Sequence, residues 1–250
     1  MIGCIIQART GSKRLPKKIL KKIDGEKTML EFVLKQLQFS KKIEKIIVAT
    51  TQLKQDDVIE ELLKIKKFPV FRGESIDVLD RYYRCAKKFK LDIIVRVGSD
   101  CPFIEPFILD KMVREFSKNN YDYMSNHEPR TFPYGMDVEI FTFKALEKAW
   151  QDASLPSERE HVSPYIYNKP EKFSCKNFEN TKDYSDIRIV VDRKKDLELI
   201  KKITSKIKSS PIKLEDIIEL KNKNPELFLI NSEYVADEGY KKSLLEDFKK

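Results

Sequence analysis

Three observations predict an α/β protein whose mainly parallel sheet is flanked by helices. Short apolar runs alternate with stretches of helical periodicity through most of the chain, the pattern of βαβ units. The first run, Ile2-Gly3-Cys4-Ile5-Ile6, is continuously apolar, as a strand buried on both faces requires. No repeat, low-complexity tract or Gly/Ser linker divides the series.

Strands are expected near 2–7, 45–50, 70–72, 92–97 and 121–125. Between the first two, Thr28-Met29-Leu30-Glu31 has the capping-box pattern, and Phe32, Val33 and Leu37 continue at helical spacing. Further helices are expected over 55–66 and 77–89 and after Pro106, where Ile108, Leu109, Met112 and Phe116 share one side. Next come a strand at 136–141, helices at 143–153 and 158–167, strands near 173–178 and 186–191, and a helix over 194–206. Residues 1–210 then make one domain. Residues 211–250 form a lysine-rich helical appendage, with helices around Leu214 to Ile218 and over 233–248, which could pack on the main domain or on a second copy in a homodimer.

Composition narrows the function classes. The chain has 250 residues, enough for a sizeable core, and 36% of them are charged. A net charge of +9 favours anionic ligands without choosing among nucleotides, acidic sugars, RNA or acidic surfaces. The 4 cysteines, Cys4, Cys85, Cys101 and Cys175, form no C-x-x-C and no zinc-site spacing with the 2 histidines, so reduced thiols and a cytoplasmic setting are expected. No apolar run is long enough to cross a membrane, and Met1 leads directly into a core strand.

Three regions carry chemistry. The first strand empties into Gln7-Ala8-Arg9-Thr10-Gly11-Ser12-Lys13-Arg14-Leu15-Pro16-Lys17-Lys18. Gly11 and Ser12 permit close backbone approach and offer donors, while Arg9, Arg14 and Lys18 can neutralise phosphate oxygens, a combination suited to a polyphosphate. Neither a Walker loop nor G-x-G-x-x-G is present. Asp100, after Gly98-Ser99, and Asp192 each end an apolar strand. Carboxylates there can hold magnesium against phosphates, or simply cap a turn or helix. Finally, Tyr134, Asp137 and Glu139 lie in an aromatic, Pro- and Gly-shaped segment, and Glu158 and His161 are three apart on one helical face, so both groups suit a polar acceptor.

The string A-R-x-x-S-x-R-L-P-x-K-x-L from Ala8 resembles the nucleotide-binding signature of cytidylyltransferases that make CMP-activated acidic sugars. Gly98-Ser99-Asp100-Cys101-Pro102 resembles that family's metal-binding strand end, although it lacks the fuller Q-x-D-x-P string. V-D-x-x-x-D-L from Val191 resembles the element whose first Asp, here Asp192, supplies a second metal carboxylate. R-G-x-x-x-D-V-L from Arg72 resembles the segment beside the base and triphosphate. F-P-x-G-x-D-V-E from Phe132 and the helix from Glu158 through Pro164 are similar to the spore-coat polysaccharide branch.

The resemblance spans roughly 2–210 and implies a Rossmann-like nucleotidyltransferase fold with Mg²⁺-dependent transfer of CMP from CTP to an acidic small-molecule acceptor. It implies that Ala8, Arg9, Gly11, Ser12, Arg14, Lys18, Arg72 and Ser99 bind the nucleotide. Arg9, Lys18, Asp100 and Asp192 would be catalytic, with the two aspartates holding the metal. Tyr134, Asp137, Glu139, Glu158 and His161 would bind the acceptor. Two alternatives are a glycosyltransferase of the same fold using a nucleotide-sugar donor and a non-catalytic RNA- or anion-binding module. The latter is disfavoured because aromatics are not interleaved with cations along one strand.

Overall fold

The computed structural model describes residues 1–248. The chain runs β1 (Ile2–Gln7), α1 (Met29–Leu37), β2 (Lys45–Thr51), α2 (Asp57–Lys66), β3 (Val70–Gly73), α3 (Val78–Lys88), β4 (Ile93–Gly98) and α4 (Pro106–Lys118). It continues through β5 (Tyr123–Ser125), β6 (Glu139–Thr142), α5 (Phe143–Asp152), α6 (Pro156–His161), α7 (Pro164–Tyr167), β7 (Cys175–Asn177), α8 (Lys194–Lys206), α9 (Leu214–Lys223) and α10 (Glu238–Asp247). The strands form one 7-stranded sheet in the order β3-β2-β1-β4-β6-β5-β7. The first four are mutually parallel, β6 runs antiparallel to β4 and β5, and β7 is parallel to β5, so the sheet is mainly parallel as expected.

Strand alternation divides the core in two. Cys4, Ile6, Val48, Val95 and Val97 face the layer built by α1, α4, α8 and α9, whereas Ile5, Ile47, Ala49 and Ile94 face α3, α5 and α7. Both faces are therefore covered, which explains the continuous apolar runs in β1, β2 and the start of β4. The expected capping box starts α1: Thr28 N–H donates to Glu31 Oε2 at 2.8 Å, and Glu31 N–H donates to Thr28 Oγ1 at 3.3 Å. Asp77 likewise caps α3, accepting from Asp80 N–H at 2.9 Å. Among the described residues no helix is long and apolar enough to cross a membrane.

Four expectations need correction. The strand expected near 186–191 is extended chain outside the sheet, held by one bridge between Arg188 and the Tyr134 loop and by hydrogen bonds to the Tyr134 and Asp100 backbone. The helix expected over 158–167 is two short helices, because Val162 adopts a φ of 75° and Pro164 begins α7 without an amide to continue α6. The strand expected at 136–141 begins only at Glu139, since the buried Asn126 side chain takes the Met136 carbonyl (2.9 Å) and the Val138 amide (2.8 Å) out of any ladder. The core also crosses the boundary expected at 210. Ile212, Leu214, Ile217, Leu220 and Leu227 join the first layer, and Gln36 bonds both the amide (3.0 Å) and carbonyl (2.9 Å) of Ile212. Among the described residues, none after Ile230, α10 included, belongs to either core layer.

Candidate active site

The parallel strands end along one edge, where the switch between β1 and β4 opens the crevice in which open α/β sheets bind ligands. The loop after β1 is pinned from beneath. Leu15 and Ile19 are buried in the first core layer. Asp56, wholly buried just before α2, accepts from Thr10 N–H and Thr10 Oγ1, each at 2.7 Å, and from the Thr51 hydroxyl. The Thr10 carbonyl accepts the amides of Ser12 (2.9 Å) and Lys17 (3.1 Å), curling the loop so that Arg9, Gly11, Lys13 and Arg14 face outward. Ala8 is buried, with its amide on the Ala49 carbonyl at 3.1 Å. The Ser12 hydroxyl accepts the Leu15 amide at 3.4 Å.

Asp100 lies two residues beyond β4, past the buried Ser99, and Gly98 leaves room for it, since a methyl there would collide with its carboxylate. The extended segment 187–191 brings Asp192 to the same place. Tyr134 N–H donates to the Ile187 carbonyl (2.8 Å), Ile189 N–H to the Tyr134 carbonyl (2.8 Å), and Val191 N–H to the Asp100 carbonyl (2.9 Å). Gly135 makes this approach feasible. Its φ is +115°, and a Cβ would sit 2.5 Å from the Val190 nitrogen. The wholly buried Asp196 then fixes the turn: Oδ2 accepts the amides of Asp192 and Arg193 at 2.9 Å each, while Arg188 and Asn231 bond the carboxylate from the other side.

Lys18 sits where these pieces meet. Its Nζ donates to Asp100 Oδ2 (2.7 Å), Asp192 Oδ1 (2.6 Å) and the Val191 carbonyl (2.8 Å), and Arg14 Nη2 lies 3.1 Å from Asp192 Oδ2. Burial alone would lower the Lys18 pKa, but the two carboxylates outweigh it and hold the ammonium above its ordinary value. Burial likewise pushes Asp192 up, yet Lys18 and Arg14 bring it below the ordinary aspartate value. The site therefore holds a charged Lys18 ammonium against an ionised Asp192 at neutral pH.

Among the described residues no group of three or more His, Cys, Asp and Glu side chains is placed to hold a metal. Two carboxylates alone suit magnesium, which takes one or two carboxylates and completes its shell with phosphate and water oxygens. The residues present thus fit that ion in the company of a triphosphate.

Other expected site residues have protein partners. Arg72 donates from Nε to the Thr51 carbonyl (3.0 Å) and from Nη2 to the Leu53 carbonyl (2.9 Å), and its Nη1 pairs with Asp57 (2.6 Å) and Glu60 (3.0 Å), so it ties β3 to α2. Glu139 is 4% exposed and accepts from Arg96, from the Ser163 hydroxyl and from Tyr123 Oη (2.7 Å), with His127 Nε2 at 3.8 Å. Burial would raise its pKa, but Arg96 foremost, then His127 and Ser163, hold it far below the glutamate range. Glu158 accepts the Ser154 (3.1 Å) and Leu155 (3.2 Å) amides at the start of α6 and pairs with Lys169 at 3.2 Å. His161 turns instead to α10, with Nε2 3.0 Å from Ser243 Oγ. Glu158 and His161 therefore share a helix but turn to different protein partners. Burial and then Arg96 hold His161 below its ordinary value, leaving it neutral at pH 7. Asp137 is paired with Arg130, and Tyr134 lies between the guanidinium groups of Arg130 (4.5 Å) and Arg188 (5.1 Å).

Sequence reasoning missed Asp56, Gly98 and Arg130. Asp56 looks like an ordinary acidic helix start, and nothing local shows that it faces a loop 46 residues away. Gly98 and the basic residue before the Phe132 motif carry a signal only once a carboxylate is placed beside each.

Known proteins share this fold. A family described as cytidylyltransferase matches residues 3–235. The spore coat polysaccharide biosynthesis protein SpsF of Bacillus subtilis is 30% identical over 232 residues, covering 89% of this chain and 94% of that protein. A solved cytidylyltransferase from Leptospira borgpetersenii superposes with a TM-score of 0.87 at 42% identity, covering 91% of this chain and 96% of the other. CMP:2-keto-3-deoxy-manno-octonic acid synthetase, solved with CTP, shares the fold at a TM-score of 0.63 and 16% identity, over 82% of this chain and 98% of that one. A match over residues 3–235, which takes in the whole sheet and both Asp100 and Asp192, makes this chain a member of the cytidylyltransferase family, and so a nucleotidyltransferase.

Proposed function

We propose that the chain is a magnesium-dependent cytoplasmic enzyme that transfers CMP from CTP to an acidic sugar or a related oxygen nucleophile, releasing pyrophosphate. The observation that carries this reading is the ammonium of Lys18 between Asp100 and Asp192 at the sheet's carboxyl edge, with Arg14 beside it. Arg9, Arg14 and the exposed backbone at Gly11 take the triphosphate, because several cations converge on one small loop that a ligand can approach closely. Asp100 and Asp192 would hold magnesium, which when bound supplies charge neutralisation on the α-phosphate and its attacking oxygen. Lys18 then shifts its donors from carboxylate to phosphate oxygens, within reach of the same point. The acceptor oxygen bonds to the α-phosphorus as the bond to the bridging oxygen breaks; pyrophosphate leaves with the electron pair, and the hydroxyl proton passes to water. Arg14 and Lys18 face the charge that grows on the leaving group, so catalysis is positioning and electrostatic stabilisation rather than covalent attack by the protein.

Thermal unfolding with each of the four ribonucleoside triphosphates and Mg²⁺ tests the nucleotide choice. CTP is expected to stabilise most, since a ligand bound only to the native state raises its melting temperature. Equal shifts with all four would remove the cytidine assignment. Pyrophosphate release from CTP on addition of acidic acceptors tests the transfer itself, and turnover only of a nucleotide-sugar would favour the glycosyltransferase alternative.

A further inference from the structure

The chain crosses its own site on the acceptor side before it ends. Asn231 anchors the crossing, donating to Asp196 at 2.8 Å, and Tyr234 lies near the guanidinium groups of Arg188 (5.6 Å) and Arg193 (4.8 Å). Asp237 comes next, with Oδ1 3.9 Å from Arg130 Nη2, and Glu238 Oε2 lies 2.6 Å from Arg193 Nη2. Arg193 directly succeeds Asp192, and Tyr134, which stacks with Arg130 and Arg188, is bonded to the segment that delivers Asp192. The two acidic residues thus stand among three guanidinium groups adjoining the phosphoryl-transfer centre.

The helix after this crossing segment holds it only lightly. α10 lies against α6 mainly through polar contacts, Ser243 with His161 (3.0 Å) and Glu160 (2.7 Å) and Asp247 with the Ser157 amide (2.9 Å) and hydroxyl (2.6 Å), with one aromatic edge contact between Tyr240 and the His161 ring at 5.1 Å. Ser243 is its one buried residue, while Leu245 is 65% and Phe248 85% exposed. An element with so little apolar burial opens at low cost. Once it lifts, Arg130 and Arg188 keep Asp137 and Asp196, but Arg193 loses Glu238, so three guanidinium groups face two carboxylates. The exposed surplus is a site for an oxyanion.

We propose that Arg193 and Arg130 form the subsite for the acceptor's oxyanion, and that Asp237 and Glu238 occupy it as built-in carboxylates until the acceptor displaces the strap. This rests on the cytidylyl-transfer reading for the identity of the ligand as an acceptor. The charge arrangement stands without it.

The test is hydrogen exchange of the 237–247 amides in the full-length protein with saturating CTP and Mg²⁺, titrated with inorganic phosphate and with glucose as the neutral control. Phosphate is expected to accelerate exchange in this segment and glucose to leave it unchanged. Asp237→Asn/Glu238→Gln should accelerate it roughly three- to tenfold without phosphate, the scale of losing exposed ion pairs, and should tighten phosphate binding. Arg193→Gln should also loosen the strap but weaken phosphate binding. These opposite effects on affinity separate an occupied subsite from a structural cover, and equal phosphate affinity in all three proteins would overturn the proposal. A wild-type protein that CTP does not stabilise would refute cytidylyl transfer separately, and the phosphate arms repeated without nucleotide would still decide the subsite.

Discussion

Replacing Glu139 by Gln distinguishes a buried charge hub from an acceptor ligand. The substitution keeps the side chain's shape and one carbonyl acceptor for Tyr123 and Ser163, but it leaves Arg96 buried opposite a neutral group. Removing one partner of a buried pair costs about 3–5 kcal/mol; the retained hydroxyl bonds place this case near 3 kcal/mol. For a chain of this size that corresponds to a melting temperature lower by roughly 6–12 °C. The sign with pH comes from the depressed carboxyl. Its contribution is complete above the ordinary glutamate value of 4.5 and is lost as the pH falls below that towards the folded-state value. The gap between wild type and variant should therefore be full at neutral pH and narrow under acid, as measured by calorimetry or denaturant melts. An unchanged melting temperature together with a raised KM for the acceptor would refute the hub and restore the ligand role.

Three more outcomes are expected. Asp100→Asn and Asp192→Asn should each lower kcat at least about a hundredfold with the fold intact by circular dichroism, on the scale of losing one preorganised electrostatic group; near-normal turnover would make that carboxylate a turn or cap residue. Gly135→Ala should lower both stability and kcat, because the added methyl meets the Val190 backbone at 2.5 Å and pushes Asp192 from its partner; a wild-type kcat would show that the 187–191 segment can shift without moving Asp192. Glu158→Ala should cost about 1 kcal/mol, as loss of a helix-start cap does, without a selective change in acceptor KM; the reverse pattern would return Glu158 to the acceptor site.

Asp100 and Asp192 were legible because each follows an apolar run in the sequence, and Lys18 because it stands in the cation-rich loop after β1. β1 and β4 bring that loop and Asp100 to one edge of the sheet, whereas Asp192 arrives on chain outside it. The helix starts at Thr28 and Asp77 were legible because capping is decided by side chains within three residues. Pairing across elements was not. Arg72 reads as a free cation until α2 brings Asp57 and Glu60 against it. Glu139 reads as a carboxylate free for the acceptor until β4 places Arg96 beside it, 43 residues away in sequence. The 186–191 run has every local mark of a strand. Its edge partners are a loop at Tyr134 and the Asp100 turn, and no local pattern announces that the expected ladder is missing. The break in the 158–167 helix was partly legible, since Pro164 stands in it.

The triad of Lys18, Asp100 and Asp192 also has a kinetic consequence. Lys18 reaches a partner 82 residues ahead and another 174 residues ahead, so the centre closes two long loops of chain at once. Long-range closure is entropically costly and comes late relative to local helix formation. A chain released between Lys118 and Asp192 could build β1 through β4 and their helices yet own no complete centre. Recovery of turnover after denaturation should accordingly trail recovery of helical signal, which makes activity a gauge of finished folding in this protein.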